Sequence, residues 1–143
     1  MPARFSPGAV IDGFVLEEKL HQGTMSAIWR VRREAEPEGA ASEPLAMKIP
    51  LVSDYDDPAA IVGFEVEQMI LPTLSGPHFP RFVAAGDFSK QPYIVMELLK
   101  GESLRNRLAG APLPPEDVAG IGARIATALH ALHLQRVIHL DLK

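Results

Sequence analysis

The sequence predicts an α+β fold, a small sheet domain followed by the start of a helical one, and three observations predict it. Five strand-like segments lie before Lys100, one helical segment interrupts them after the third, and only helical periodicity follows. Phe14 to Leu20 and Ala27 to Arg33 alternate in part, carry β-branched or aromatic residues and flank Gly23, so they read as a hairpin. Glu34 to Pro44, rich in acids, prolines and small residues, reads as a solvated loop. Leu45 to Ile49 alternates again, with Leu45, Met47 and Ile49 on one face and Ala46 and Lys48 on the other. Asp57-Pro58 suits a helix start, because the carboxylate accepts from first-turn amides and proline tolerates the first helical position. That helix is expected to run to about Leu71 and stop at Pro72. After a Gly76-Pro77 turn, Arg81 to Phe88 and Pro92 to Leu99 give the last two strands. Ser103 to Leu108 reads as a short helix and a longer one begins near Pro115. Val118, Ile121, Ile125, Leu129 and Leu132 form one apolar stripe along it, which needs a partner to cover it.

Composition narrows the function. With 143 residues the chain fits one domain of ordinary size, and 18 acidic against 14 basic residues give a net charge of −4. That balance offers no basic footprint for nucleic acid and no polybasic attraction to lipid. No stretch approaches the roughly 18 uninterrupted apolar residues of a membrane span, and the N-terminus lacks a signal-peptide core. The absence of cysteine excludes disulfides, thiolate zinc sites and a cysteine nucleophile, and is compatible with a cytoplasmic location. His21, His78, His130, His133 and His139 include no H-E-x-x-H, so they read as scattered structural histidines.

Several short motifs carry chemistry in their order. Leu45-Ala46-Met47-Lys48 sets a lysine on a stiff strand, a fixed cation of the kind that holds a polyanion; alone, a surface lysine is the commoner meaning. Phe64-Glu65-Val66-Glu67 offers two carboxylates about 200° apart around the helix, so only one faces the sheet. Glu67 lies within one turn of Phe64, Ile70 and Leu71 and is the choice; Glu65 suits a solvated face. Tyr93 to Leu104 is a buried strand running into a turn, and His139-Leu140-Asp141-Leu142-Lys143 closes the chain.

Taken together, these motifs resemble the eukaryotic-type serine/threonine protein kinases that bacteria also carry, from about Phe14 to Lys143. The resemblance implies an N-terminal tail over 1–13, an N-lobe and hinge over 14–99, and the start of a C-lobe over 100–143. The N-lobe would be a five-stranded antiparallel sheet plus one helix. By the same resemblance Lys48 holds the α- and β-phosphates of ATP and Glu67, at the family's F-x-x-E spacing, pairs with it. The family's G-x-G-x-x-G-x-V falls on His21, Gly23, Ser26 and Ile28, so one glycine of three survives. Met96 would sit behind the adenine, the Glu97 carbonyl and Leu99 amide would bond its edge, and Ala46 with Ile28 would cover it. Asp141 would orient and deprotonate a protein hydroxyl, while Lys143 would steady the transferring phosphoryl group. Leu140 stands where the family usually has an arginine, which puts activation by that contact in doubt.

Magnesium in the family is held by residues that would lie beyond Lys143. The expectation is therefore an ATP-dependent protein kinase, its domain incomplete and inactive at this length. The missing C-lobe or another partner would cover the 118–132 stripe. The competing expectation is a kinase-like regulatory module, binding nucleotide or protein without catalysis.

Overall fold

The computed structural model describes residues 5–51 and 58–142. They form two compact units, one comprising the described residues up to Thr73 together with Pro80–Leu99, the other Leu74–Phe79 and the described residues from Lys100 on.

The first unit is built on a six-stranded antiparallel sheet. Its strands are β1 (Val10–Ile11), β2 (Phe14–Gln22), β3 (Ser26–Arg33), β4 (Leu45–Pro50), β5 (Phe82–Ala85) and β6 (Ile94–Glu97), in the spatial order β1-β2-β3-β4-β6-β5. The expected count of five is corrected to six by β1. This strand pairs Val10 with Val15 and Ile11 with Phe14 across the Asp12-Gly13 turn. Both turn residues have positive φ, 45° and 81°, as a two-residue turn matched to sheet twist requires. A two-residue strand is too short to show periodicity, yet Ile11 is buried.

Alternation along the strands sends Leu16, Trp29, Val31, Leu45, Met47, Ile49, Tyr93 and Val95 into a common core. Two register shifts in β2, between Leu16 and Glu18 and between Lys19 and His21, break that alternation, and past Leu16 the strand buries no further side chain. The last two strands are shorter than the sequence suggests. The chain leaves β5 at Gly86 and turns where the Ser89 amide donates to the Asp87 carboxylate at 2.8 Å. That hydrogen bond holds the Asp87 carboxyl below its ordinary value.

Between β4 and β5 comes α1 (Pro58–Ile70), followed by a single 3-10 turn over Leu71–Thr73 that contains Pro72. The expected Asp57 cap lies outside the described residues. Phe64 is its buried anchor, edge-on to Phe88 with ring centroids 6.1 Å apart.

The second unit holds α2 (Leu104–Arg107), capped by the Ser103 hydroxyl accepting from the Asn106 amide at 3.3 Å, and α3 (Pro115–Leu134). Glu116 and Asp117 in its first turn and His133 in its last complement the α3 dipole. Its stripe is covered unevenly: Leu132 is buried, while Val118 and Ile125 are exposed. Gln135, just past α3, clamps the segment Leu74–Phe79. Its Oε1 accepts from the Ser75 amide at 2.9 Å and its Nε2 donates to the Ser75 carbonyl at 3.0 Å.

Candidate nucleotide-binding site and its relatives

The sheet register assembles His21, Ile28, Ala46, Lys48 and Met96 on the face opposite the core, whereas Glu97 pairs with Leu45 in a core-side row. Directly paired residues of an antiparallel ladder share a face, and the ladder aligns His21 with Ile28, Ile28 with Lys48 and Lys48 with Ile94. The neighbouring row aligns Glu18 with Arg30, Arg30 with Ala46 and Ala46 with Met96. Ala46 is buried, Ile28 and Met96 are half-buried, and His21 stands exposed at the outer end. Small and apolar side chains thus flank the single cation of β4.

Lys48 is held from two sides. Its Nζ donates to Glu67 Oε2 at 2.6 Å and lies 5.9 Å from the centre of the Phe64 ring. About three quarters of the lysine side chain is covered, while Glu67 keeps 38% of its surface. The helix geometry decides between the two glutamates as the sequence analysis argues: Glu67 turns to the sheet and Glu65 is exposed. A pair this accessible adds at most about 1 kcal/mol to stability, so its main effect is to fix where the ammonium points.

The turn after β2 places the Gly23 amide on the Ser26 carbonyl at 2.9 Å. A Cβ added at Gly23 would meet nothing closer than that carbonyl at 3.6 Å. The turn's own packing therefore makes no demand for glycine at this position. Ser26 begins β3 and is half-buried.

At the other end of the sheet the Glu97 amide donates to the Arg81 carbonyl at 2.9 Å, and the Leu98 amide to the Pro44 carbonyl at 2.8 Å. Arg81 also pairs with the Glu43 carboxylate, which raises its pKa above the ordinary arginine value. These contacts hold the backbone leaving β6, and Leu99, the next residue, is exposed.

Asp141 lies in the second unit, exposed, with its amide donating to Nδ1 of His139 at 3.2 Å. Leu140 between them has a φ of 60° and is 89% exposed. A leucine in the left-handed region costs about 1 kcal/mol or more and here buries nothing in return. Lys143 lies outside the described residues.

One residue that the sequence analysis passes over joins the site. Gln68, next to Glu67, donates from Nε2 to the carbonyls of Gly86 at 2.7 Å and Tyr93 at 3.2 Å. Both acceptors are main-chain atoms, so no side-chain identity announces them.

Comparison with known proteins agrees with this geometry. The protein kinase domain family matches residues 14–143. The serine/threonine-protein kinase PkaA of Streptomyces coelicolor is 34% identical over 143 aligned residues, covering 91% of this chain and 25% of that protein. The probable serine/threonine-protein kinase PknB of Lactococcus lactis is 32% identical over 100 residues, covering 69% of this chain and 16% of that one. The chain thus spans about a quarter or less of these relatives. In fold it is similar to the crystal structure of the Mycobacterium tuberculosis PknI kinase domain, with a TM-score of 0.76 and 22% identity over 97% of this chain and 55% of that one. Sheet order, the Lys48–Glu67 contact and a family match over nearly the whole length agree: the chain belongs to the protein kinase family, among relatives that are serine/threonine kinases.

Proposed function

We propose that the first unit binds ATP and that the complete domain transfers its terminal phosphoryl group to a serine or threonine hydroxyl of a protein. The observation that carries this reading is the 2.6 Å contact between Lys48 and Glu67, which aims one ammonium along the small-residue face of the sheet. In this role Lys48 binds the α- and β-phosphates, and Glu67 keeps the ammonium from swinging to solvent. Ile28, Ala46 and Met96 cover the adenine, while the Glu97 carbonyl and Leu99 amide recognise its edge. Gly23 allows phosphate to approach the turn, with His21 and Ser26 offering donors beside it. Asp141 takes the proton of the protein hydroxyl and Lys143 steadies the phosphoryl group.

Nucleotide fits the cation and apolar face described above. Magnesium does not yet find a holder: no group of three carboxylate or imidazole ligands occurs among the described residues, and no step is assigned to it. Inactivity of the 143-residue chain by itself is part of the same proposal. A cytoplasmic location is part of the same proposal; among the described residues no helix is long and apolar enough to cross a membrane.

A second reading, a kinase-like module that binds nucleotide or protein without catalysis, is favoured by Leu140, an uncharged, strained and exposed residue beside Asp141. Two measurements test these readings. ATP at about a hundred times its dissociation constant should add about 2.7 kcal/mol to stability, and Lys48→Met should abolish that gain. Undiminished stabilisation in the variant refutes the phosphate role. Magnesium-dependent phosphorylation of a protein substrate by the isolated chain refutes both its inactivity and the non-catalytic reading.

A further inference from the structure

The contact between Lys48 and Glu67 depends on the rotational setting of α1, and few contacts fix that setting. Phe64 is the one buried residue among the described side chains of α1, while Val62, Val66 and Met69 are exposed. A carboxylate carried about 5–6 Å from the helix axis moves about 2 Å when the helix turns by about 20°. That displacement ends a 2.6 Å hydrogen bond. A partly exposed ion pair is too weak to hold the angle unaided.

Gln68 supplies a second grip. It follows Glu67 by one residue, about 100° around the helix, so amide and carboxylate point to different strands. Glu67 reaches β4 through Lys48. Gln68 reaches the loop end of the β5–β6 hairpin, where the Gly86 amide donates to the Tyr93 carbonyl at 2.9 Å. A carboxamide has two N–H donors, and Gln68 spends both on these main-chain carbonyls. The anchor is stiff, because Gly86 lies so close to Gln91 and Tyr93 that even a Cβ would not fit. A residue held at two points 100° apart on a helix cannot rotate without breaking one of them.

We propose that Gln68 is a positioning residue for the candidate phosphate site: its two hydrogen bonds to the Gly86 and Tyr93 carbonyls set the rotation of α1 that brings Glu67 onto Lys48. Its consequence for nucleotide rests on the phosphate role of Lys48; its effect on the ion pair does not.

The test reads the pair itself. Spectra of the whole chain, labelled with 13C at lysine Cε, locate the Lys48 signal by its loss in Lys48→Met and locate the unpaired position from Glu67→Gln. Gln68→Met keeps the length and removes both donors; it should move the Lys48 signal at least halfway to the unpaired position and weaken ADP binding about fivefold. Gln68→Lys restores donors to the two carbonyls and should return both readings toward those of the parent chain. An unmoved Lys48 signal in folded Gln68→Met overturns the proposal, even where the melting temperature falls, since a purely structural role lowers stability without touching the pair. Should Gln68→Met not fold, Gln68→Ala, which also removes the donors and leaves room for water at the two carbonyls, decides: a Lys48 signal moved toward the unpaired position supports positioning, and an unmoved signal in a folded chain overturns it. Lys48→Met with undiminished ADP binding refutes the phosphate role alone and leaves the spectral result to judge Gln68.

Discussion

Gly86→Ala is the substitution to which this sheet has least room to adapt. A Cβ built on Gly86 would sit 2.3 Å from the Gln91 carbonyl oxygen and 2.4 and 2.6 Å from Cδ1 and Cε1 of the Tyr93 ring. Non-bonded carbons rest at about 3.5–4.0 Å, so the ring and the strand must each retreat by about 1 Å. Neither is the loose end of a side chain. Tyr93 is 4% exposed and stands edge-on to Phe14 at 6.3 Å. Overpacking costs about 1–3 kcal/mol, and two rigid neighbours place this case at the upper end, about 3 kcal/mol. For a chain of this size the loss lowers the melting temperature by about 6–12 °C. Trp29, the single tryptophan, is 2% exposed in the same core, so its fluorescence during thermal and urea unfolding reports the change directly. A fall of less than about 2 °C would show that the β5–β6 hairpin yields easily, and would remove the stiffness on which the anchoring of Gln68 depends.

Tyr93 makes stability fall in alkali. Burial first, then the influence of the Asp12 carboxylate, pushes the phenol from 10.0 up to about 12. Below pH 10 both folded and unfolded chains keep the proton and the contribution is complete; above it the unfolded chain ionises first, and the contribution is lost as pH rises to about 12. The difference amounts to roughly 3 kcal/mol, and Tyr93→Phe should flatten it in urea melts across that range; parallel slopes in the two proteins would contradict the assignment. Gly13→Ala meets no atom within 4 Å but must adopt a φ of 81°, so a loss of about 1–2 kcal/mol is expected, and no loss in the same melts would argue against the β1–β2 turn. Gln135→Ala removes the clamp on Ser75 and should cost about 1–2 kcal/mol, with faster hydrogen exchange at the Ser75 amide. Unchanged exchange there would mean that Leu74–Phe79 is held by other contacts.

What the sequence discloses follows the range of the physical forces involved. Alternation in Leu45–Pro50 and in Ser26–Arg33 is a local consequence of strand geometry against one core, so the strands and their faces were readable in advance. So was the choice between Glu65 and Glu67, because 100° per residue is fixed by the helix and only Glu67 shares an arc with Phe64. Val10–Ile11 was not readable as a strand from periodicity, which needs more than two residues. Asp12-Gly13 carried the information instead, as a turn dipeptide whose positive φ values dictate a hairpin. The close approach of Gly86 to Gln91 and Tyr93, which leaves no room for a Cβ, joins residues five and seven places apart and is expressed by no alternation pattern.

Gln68 shows where such reading stops. A glutamine one place past a sheet-facing glutamate is ordinary on any amphipathic helix, and its acceptors lie 18 and 25 residues away as main-chain carbonyls. Carbonyls carry no residue identity, so any sequence that builds the β5–β6 hairpin supplies them equally well. The ion pair is legible because both partners are charged side chains, each with few structural alternatives once partly buried. The amide that sets their meeting is silent because half of its interaction belongs to the backbone. A lysine and a glutamate in the right order therefore announce a site of this kind, whereas the precision of their contact is written in hydrogen bonds that only the folded chain reveals.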